Sequence, residues 1–309
     1  MNILITGGLG FIGTNLSIKL LEDNHNIYII DDLSSGQLDN LNIIQQYGNV
    51  KFYKQNICEK LPDIQVDEIY NLACDASPKF YQSDMLATIK SCTYGLFNLL
   101  ELAKKNNAKF LQSSTSEVYG NPLENPQKEE YLGNVSCTGI RSCYDEGKRV
   151  AESIVLNYYR QYNLDVKIVR IFNTYGQYMR QDDGRVVSNF INQILDNKPI
   201  TIYGDGSQTR SICYIDDLID GLLKLMKSDY HFPVNIGNNE EYTILQLANI
   251  ICDEMKVNQK YVYCDLPEDD PLQRKPDITK ANKILNWKPK YDVRNGLRKT
   301  IQYFKEIHS

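Results

Sequence analysis

The chain has 309 residues, 42% of them hydrophobic, with a formal charge of −5 and a pI near 5.4. That length suits one large α/β domain or two smaller ones, and the acidic balance argues against a nucleic-acid partner. No apolar run is long enough to span a membrane, and the N-terminus enters a strand rather than a signal peptide, so no membrane association is expected.

Residues Asn2–Thr6 read as a short apolar strand, followed at once by Gly7-Gly8-Leu9-Gly10-Phe11-Ile12-Gly13. Leu16, Ile18, Leu20 and Leu21 then supply the apolar side of a helix. Glycines between a strand and a helix permit a tight turn and close backbone approach, so a pyrophosphate can rest on the helix N-terminus. The next strand, Ile27–Ile30, runs into Asp31 and Asp32, at the spacing expected of a ribose-binding carboxylate. A carboxylate there accepts from the 2′-hydroxyl and repels a 2′-phosphate, so NAD is expected over NADP.

Further strands are predicted at Val50–Tyr53, Glu68–Ala73, Lys109–Gln112 and Val166–Phe172, with helices over Met85–Lys105, Cys143–Gln161 and Val186–Leu195. This alternation predicts an α/β fold, a Rossmann-type doubly wound parallel sheet. Past Asn173 the pattern breaks into short strands and helices at Asp216–Met226, Thr243–Met255, Ile278–Leu285 and Val293–Phe304, punctuated by prolines. The expected division is a dinucleotide-binding domain over 1–172 and a smaller C-terminal lobe over 173–309, with segments near 211–239 returning to the first domain. That lobe closes over the strand ends, where open α/β sheets bind ligands.

The chemistry centres on Tyr144-Asp-Glu-Gly-Lys148 and on Ser114-Thr115-Ser116-Glu117. Four residues apart on a helix, Tyr144 and Lys148 share a face, where an ammonium favours a phenolate. A hydroxyl residue ending a buried strand joins the tyrosine at a substrate oxygen. Such a group set removes a proton from an alcohol while a hydride leaves its carbon. Eight cysteines without a Cys-x-x-Cys pair indicate reduced thiols in a cytoplasmic setting. Only His25, His231 and His308 occur, none in a ligand cluster, so no metal is expected.

The motifs Gly7–Gly13, Ser113–Gly120, Gly139–Glu152, Arg170–Gly176, Asp182–Phe190, Tyr203–Arg210 and Asp269–Ala281 cover the chain almost end to end. Together they resemble an extended short-chain dehydrogenase/reductase of the epimerase/dehydratase group acting on nucleotide sugars. Within that group the likeness is to the UDP-glucuronate decarboxylases, also called UDP-xylose synthases. The resemblance implies retained NAD, a UDP-linked sugar and a homodimer built on two helices from each chain. It implies that Tyr144 is the catalytic base with Lys148 its partner, and that Thr115 lies beside the reacting C4 oxygen. Ser116 and Glu117 then face the C5–C6 end of the sugar, and Arg274 its carboxylate. Cofactor contacts fall on Gly7, Gly10, Phe11, Ile12, Gly13, Asp31, Asp32, Asn56, Ile57, Leu72 and Ala73. Ser77 and Tyr81 line the sugar pocket, while Asn173, Arg185, Tyr203, Gln208 and Arg210 hold the rest of the nucleotide sugar. Tyr119 reads as packing and Arg170 as a structural ion pair. Lys288 and the pair Asp269–Asp270 read as solvated, and a surface salt bridge is the plainer alternative for Arg274.

Other activities remain open at this stage. Dehydratases acting on dTDP-glucose resemble an Asp-Glu pattern where this chain has Ser116-Glu117, but those acting on GDP-mannose share the Thr-Ser-Glu run. A 4,6-dehydratase or 4-epimerase is therefore the main alternative. A non-catalytic NAD-binding sensor or scaffold would not need Thr115, Tyr144 and Lys148 together. The chain also departs from the decarboxylase pattern: Asp75 stands for a proline, Asn56 for an aspartate and Cys92 for an asparagine. Aimed at the substrate, Asp75 would repel a glucuronate carboxylate.

Overall fold

The computed structural model describes residues 1–266 and 273–308; Asp269 and Asp270 lie outside the described residues. Its centre is a seven-stranded sheet. Six strands are β1 (Asn2–Thr6), β2 (Asn26–Asp31), β3 (Val50–Lys54), β4 (Glu68–Asn71), β5 (Lys109–Thr115) and β6 (Val166–Ile171). The seventh, Pro233–Ile236, pairs with β6. The order from one edge is Pro233–Ile236, β6, β5, β4, β1, β2, β3, every pair parallel. The chain therefore winds one way from β1 to β3 and the other way from β4 onward. The crevice between β1 and β4 is the switch point at which such sheets hold ligands.

Alternation along the strands splits the core into two layers. Leu4, Ile30, Ile69, Phe110 and Ile168 pack with Leu96, Leu99, Leu100, Ala151 and Val155 from the helices covering one face. Ile3, Ile5, Ile29, Leu111 and Val169 face the opposite layer with Leu16, Leu20 and Leu218. Each such side chain, fully buried, contributes about 1.5–3 kcal/mol, and a one-residue slip would exchange the two sets between layers, which fixes strand register through packing on both faces.

Of the boundaries that differ from the sequence reading, two shape the site. β4 ends at Asn71 instead of Ala73 because the backbone of Gly7 crosses there; a Cβ on Gly7 would lie 2.9 Å from the Leu72 carbonyl. β5 runs on past Gln112 to Thr115, held by β6 through the pair Thr115–Ile171. The predicted bounds stop before the polar run Ser113-Ser114-Thr115, yet all three residues are buried and Thr115 is the hydroxyl residue that ends the strand. The helix expected over Met85–Lys105 also contains a wider π-helical turn at Ser91–Gly95.

The C-terminal segments form small sheets over the strand ends. Thr209–Ser211 pairs with Glu241–Thr243 on one side and with Gln273–Arg274 on the other. That register sets Arg274 beside Arg210. Helix Ile244–Met255 is anchored by a capping box in which Thr243 accepts from the Gln246 amide at 3.0 Å.

Candidate active site

The sheet's switch point opens into a cleft of ≈ 750 Å³ reaching from Gly7 to Arg274, and every site residue expected from the sequence borders it. At one end the glycine loop is built for close approach. Gly7 has φ +67°, and a Cβ on Gly13 would lie 2.3 Å from the Gly7 carbonyl oxygen. Helix Phe11–Glu22 begins at Gly10, which offers no capping side chain, and has no acidic residue in its first turn. Its first N–H groups and dipole therefore suit a diphosphate.

Asp31 is buried at the end of β2 and accepts from the Leu9 and Leu33 amides, each at 2.9 Å. Burial pushes its carboxyl above the usual range, while those two bonds pull it down. Asp31 thus ties the glycine loop to the following turn, and each oxygen keeps a lone pair for a ribose hydroxyl. Asn56 donates to Asp32 at 2.6 Å, and its amide oxygen already accepts from the Cys58 amide. Asp75 is met by the Ser34 hydroxyl at 3.4 Å. It therefore sits at the Asp31–Asp32 end of the cleft rather than against the sugar pocket.

At the other end, helix Ser142–Tyr162 carries Tyr144 and Lys148, both buried. The Tyr144 ring stacks on Tyr81 with centroids 4.8 Å apart and planes 5° from parallel. Burial pushes the Tyr144 phenol well above its usual range, Cys74 adds to this, and a hydrogen bond with Thr115 opposes it. The Lys148 ammonium lies 5.7 Å from the ring centroid and donates to the Ser113 carbonyl at 2.9 Å. Extension of β5 places that carbonyl there. The lysine is thereby fixed under the phenol, although its direct bond is to the strand.

Glu117 follows on the short 3₁₀ turn Ser116–Tyr119 and is gripped by two guanidinium groups. Arg141 donates to it at 2.5 Å and Arg274 at 3.1 Å. Burial opposes its charge, yet Arg274, Arg141 and Arg210 outweigh this and hold Glu117 below the usual carboxylate range. Arg274 is 1% exposed, so the surface-salt-bridge alternative is corrected. It also donates to the Ser116 carbonyl, and among the described residues its Nε has no hydrogen-bond partner.

The remaining lining residues do more local work. Ser77 gives its hydroxyl to the Asp183 carbonyl at 2.7 Å, and Arg185 pairs with Asp183 at 3.3 Å. Gln208 donates to the Tyr203 carbonyl at 2.6 Å, which shapes the loop before Arg210. Asn173 accepts from the Cys213 amide through its backbone carbonyl. Tyr119 bonds Asn235, and Arg170 pairs with Glu152, both structural as read from the sequence.

Arg141 and Asp145 were missed by the sequence reading. They lie on the turn carrying Tyr144, and Arg141 is three residues before the tyrosine on the same helix face. That spacing was the available signal. Asp145 is buried with one oxygen unpartnered among the described residues; burial and the nearby Glu117 raise it to about 7. Its folded-state value lies above the unfolded 3.8, so its contribution to stability is complete below about pH 4 and lost as pH rises through about 7. Asp145→Asn is expected to remove that loss. The Tm advantage of the variant should grow between pH 4 and 7 and then level off. Parallel melting curves across this window would contradict the assignment.

A tyrosine–lysine helix face meeting the switch-point crevice of a doubly wound parallel sheet is the arrangement of a short-chain dehydrogenase/reductase. The chain belongs to the family described as GDP-mannose 4,6 dehydratase, whose profile matches residues 4–300. Arabidopsis thaliana UDP-glucuronic acid decarboxylase 5 is 48% identical over 298 residues, covering 96% of this chain and 87% of that protein. Among solved structures, UDP-glucose 4-epimerase from Thermotoga maritima, crystallised with UDP-glucose, superposes with a TM-score of 0.93 at 29% identity, covering 100% of both chains. UDP-glucuronic acid 4-epimerase from Bacillus cereus, in complex with UDP-glucuronic acid and NAD, gives 0.90 at 27% identity, covering 99% of this chain and 100% of the other.

Proposed function

We propose that this protein is an NAD-dependent UDP-glucuronate decarboxylase that forms UDP-xylose. The observation that carries the reading is the buried Arg274 at the Tyr144 end of the cleft, with a donor unspent among the described residues. A buried donor without a partner costs about 1–3 kcal/mol, and a substrate carboxylate offsets that. The near-full-length identity to decarboxylases supports the same choice.

The glycine loop, the uncapped helix start and Asp31 fit a dinucleotide; Gly7, Gly10, Gly13 and Asp31 would hold it. Bound there, NAD supplies an acceptor for the C4 hydride and later returns it. Tyr144 removes the C4 hydroxyl proton, with Lys148 beneath it and Thr115 beside it offsetting the cost of a buried phenolate. A ketone at C4 makes the sugar a β-keto acid, which loses carbon dioxide. Tyr144 and Thr115 then direct hydrogen bonds at the enolate oxygen that develops.

Glu117 separates this reading from elimination. A dehydratase needs a free carboxylate to abstract the C5 proton, whereas Glu117 is clamped by Arg141 and Arg274 and is a weak base. Held ionised, it suits orienting a water that protonates C5, and it keeps Arg274 in place. The direct test incubates the protein with UDP-glucuronate, UDP-glucose, dTDP-glucose and GDP-mannose. Mass loss of carbon dioxide from the first alone is expected; loss of water from any hexose would overturn the reading.

The proposed assembly is a homodimer in the cytoplasm. Leu86, Tyr94 and Phe97 are 68%, 65% and 44% exposed along 85–106, beside exposed Val150 on the neighbouring helix, an apolar face suited to a second copy. Among the described residues, no helix is long and apolar enough to cross a membrane.

A further inference from the structure

Two thiols outside the proposed chemistry meet behind Tyr144. Cys74 follows Ala73 on the segment leaving β4 and lines the cleft, while Cys92 projects from the π-helical turn and is buried. Their sulfurs are 3.6 Å apart, with either able to donate to the other. Cys92 is wedged against the turn that carries the catalytic pair: a Cβ on Gly147 would lie 3.2 Å from its sulfur. The hydrogen bond between the thiols holds Cys92 below the usual thiol range and pushes Cys74 up. The Lys148 ammonium favours negative charge on either sulfur. A thiolate beside a cation is the reactive form of cysteine.

We propose that Cys74 and Cys92 form a reversible disulfide when a peroxide enters the cleft, and that this cross-link switches the enzyme off. The Cys92 thiolate attacks one peroxide oxygen and the O–O bond breaks, leaving a sulfenic acid and a hydroxide that takes up a proton. Cys74 then attacks the sulfenic sulfur and expels the second hydroxide, which leaves as water with the Cys74 proton. Two thiols lose two electrons and two protons, and the peroxide becomes two waters. The sulfurs must close from 3.6 Å to the roughly 2.05 Å of a disulfide, a shift shared by a loop and a π-helical turn. That shift draws the cofactor-side segment toward the turn bearing Tyr144 and Lys148, which displaces the catalytic pair. A thiol reductant reverses it by exchange. In a reducing compartment such bonds are transient and regulatory.

The test treats the NAD-loaded protein with hydrogen peroxide, alkylates the remaining thiols and maps the peptides. A Cys74–Cys92 linked peptide is expected, with activity falling more than about tenfold and returning with dithiothreitol. Cys92→Ser should lose activity at least about tenfold more slowly than the unsubstituted protein, whereas Cys137→Ser, at an exposed position, should match it. Full alkylation of both thiols after peroxide, a linked peptide with unchanged activity, or equal inactivation of Cys92→Ser would each overturn the proposal. Peptide mapping of the unsubstituted protein decides the cross-link even if Cys92→Ser does not fold. The activity readout rests on the decarboxylase reading, but the cross-link is read by mass alone, so the two fail separately.

Discussion

Tyr144→Phe is expected to lower turnover by about 10²–10⁴-fold while leaving the protein folded and its cofactor bound. Phenylalanine keeps the ring, and with it the stack on Tyr81 at 4.8 Å and the packing beneath it. Only the hydroxyl is lost, and with it the group proposed to exchange a proton with the C4 oxygen. The neighbouring phenol of Tyr81 is a poor substitute, being buried and itself pushed above the usual range. The measurement pairs initial rates with the cofactor content of the denatured protein. Wild-type turnover in the variant would remove Tyr144 from the chemistry; loss of cofactor would make its role structural.

Arg274→Met is expected to impair both stability and rate. Removing one partner of a buried ion pair costs about 3–5 kcal/mol, and the effect should fall near the lower end because Arg141 still meets Glu117. The rate should fall by about 10²-fold, the size expected when a group that orients the reacting part of the substrate is lost. Arg274→Lys restores the charge without the planar fork that reaches both the Ser116 carbonyl and Glu117. It should recover part of the stability and little of the rate. Denaturant unfolding and initial rates separate the two effects. An Arg274→Met protein with unchanged rate would assign this arginine to structure alone.

The parts of the site legible in the sequence are those set by local spacing. Strand, glycines and helix follow one another within Asn2–Glu22, and Tyr144 and Lys148 share a turn, so neither depends on distant contacts. What the sequence concealed depends on residues far apart in the chain. The grip of Arg141 and Arg274 on Glu117 joins positions 24 and 157 residues away. The Lys148 bond to the Ser113 carbonyl needs β5 to extend past the predicted end at Gln112. Strand Pro233–Ile236 is short and begins with proline, tolerable because it lies at a sheet edge. Asp75, a cause for concern in a pocket for a carboxylate, turns to Ser34 instead. The Cys74–Cys92 contact came from packing between a loop and a helix, where no spacing rule applies.

The central claim is that the sugar leaves this cleft without its carboxyl carbon, and labelling that carbon tests it most directly. UDP-glucuronate carrying ¹³C at the carboxyl group, incubated with the NAD-loaded protein in deuterated water, should yield labelled carbon dioxide and an unlabelled UDP-pentose with deuterium at C5. Label retained in a UDP-hexuronate of unchanged carbon count, or in a product that has lost water, would contradict it.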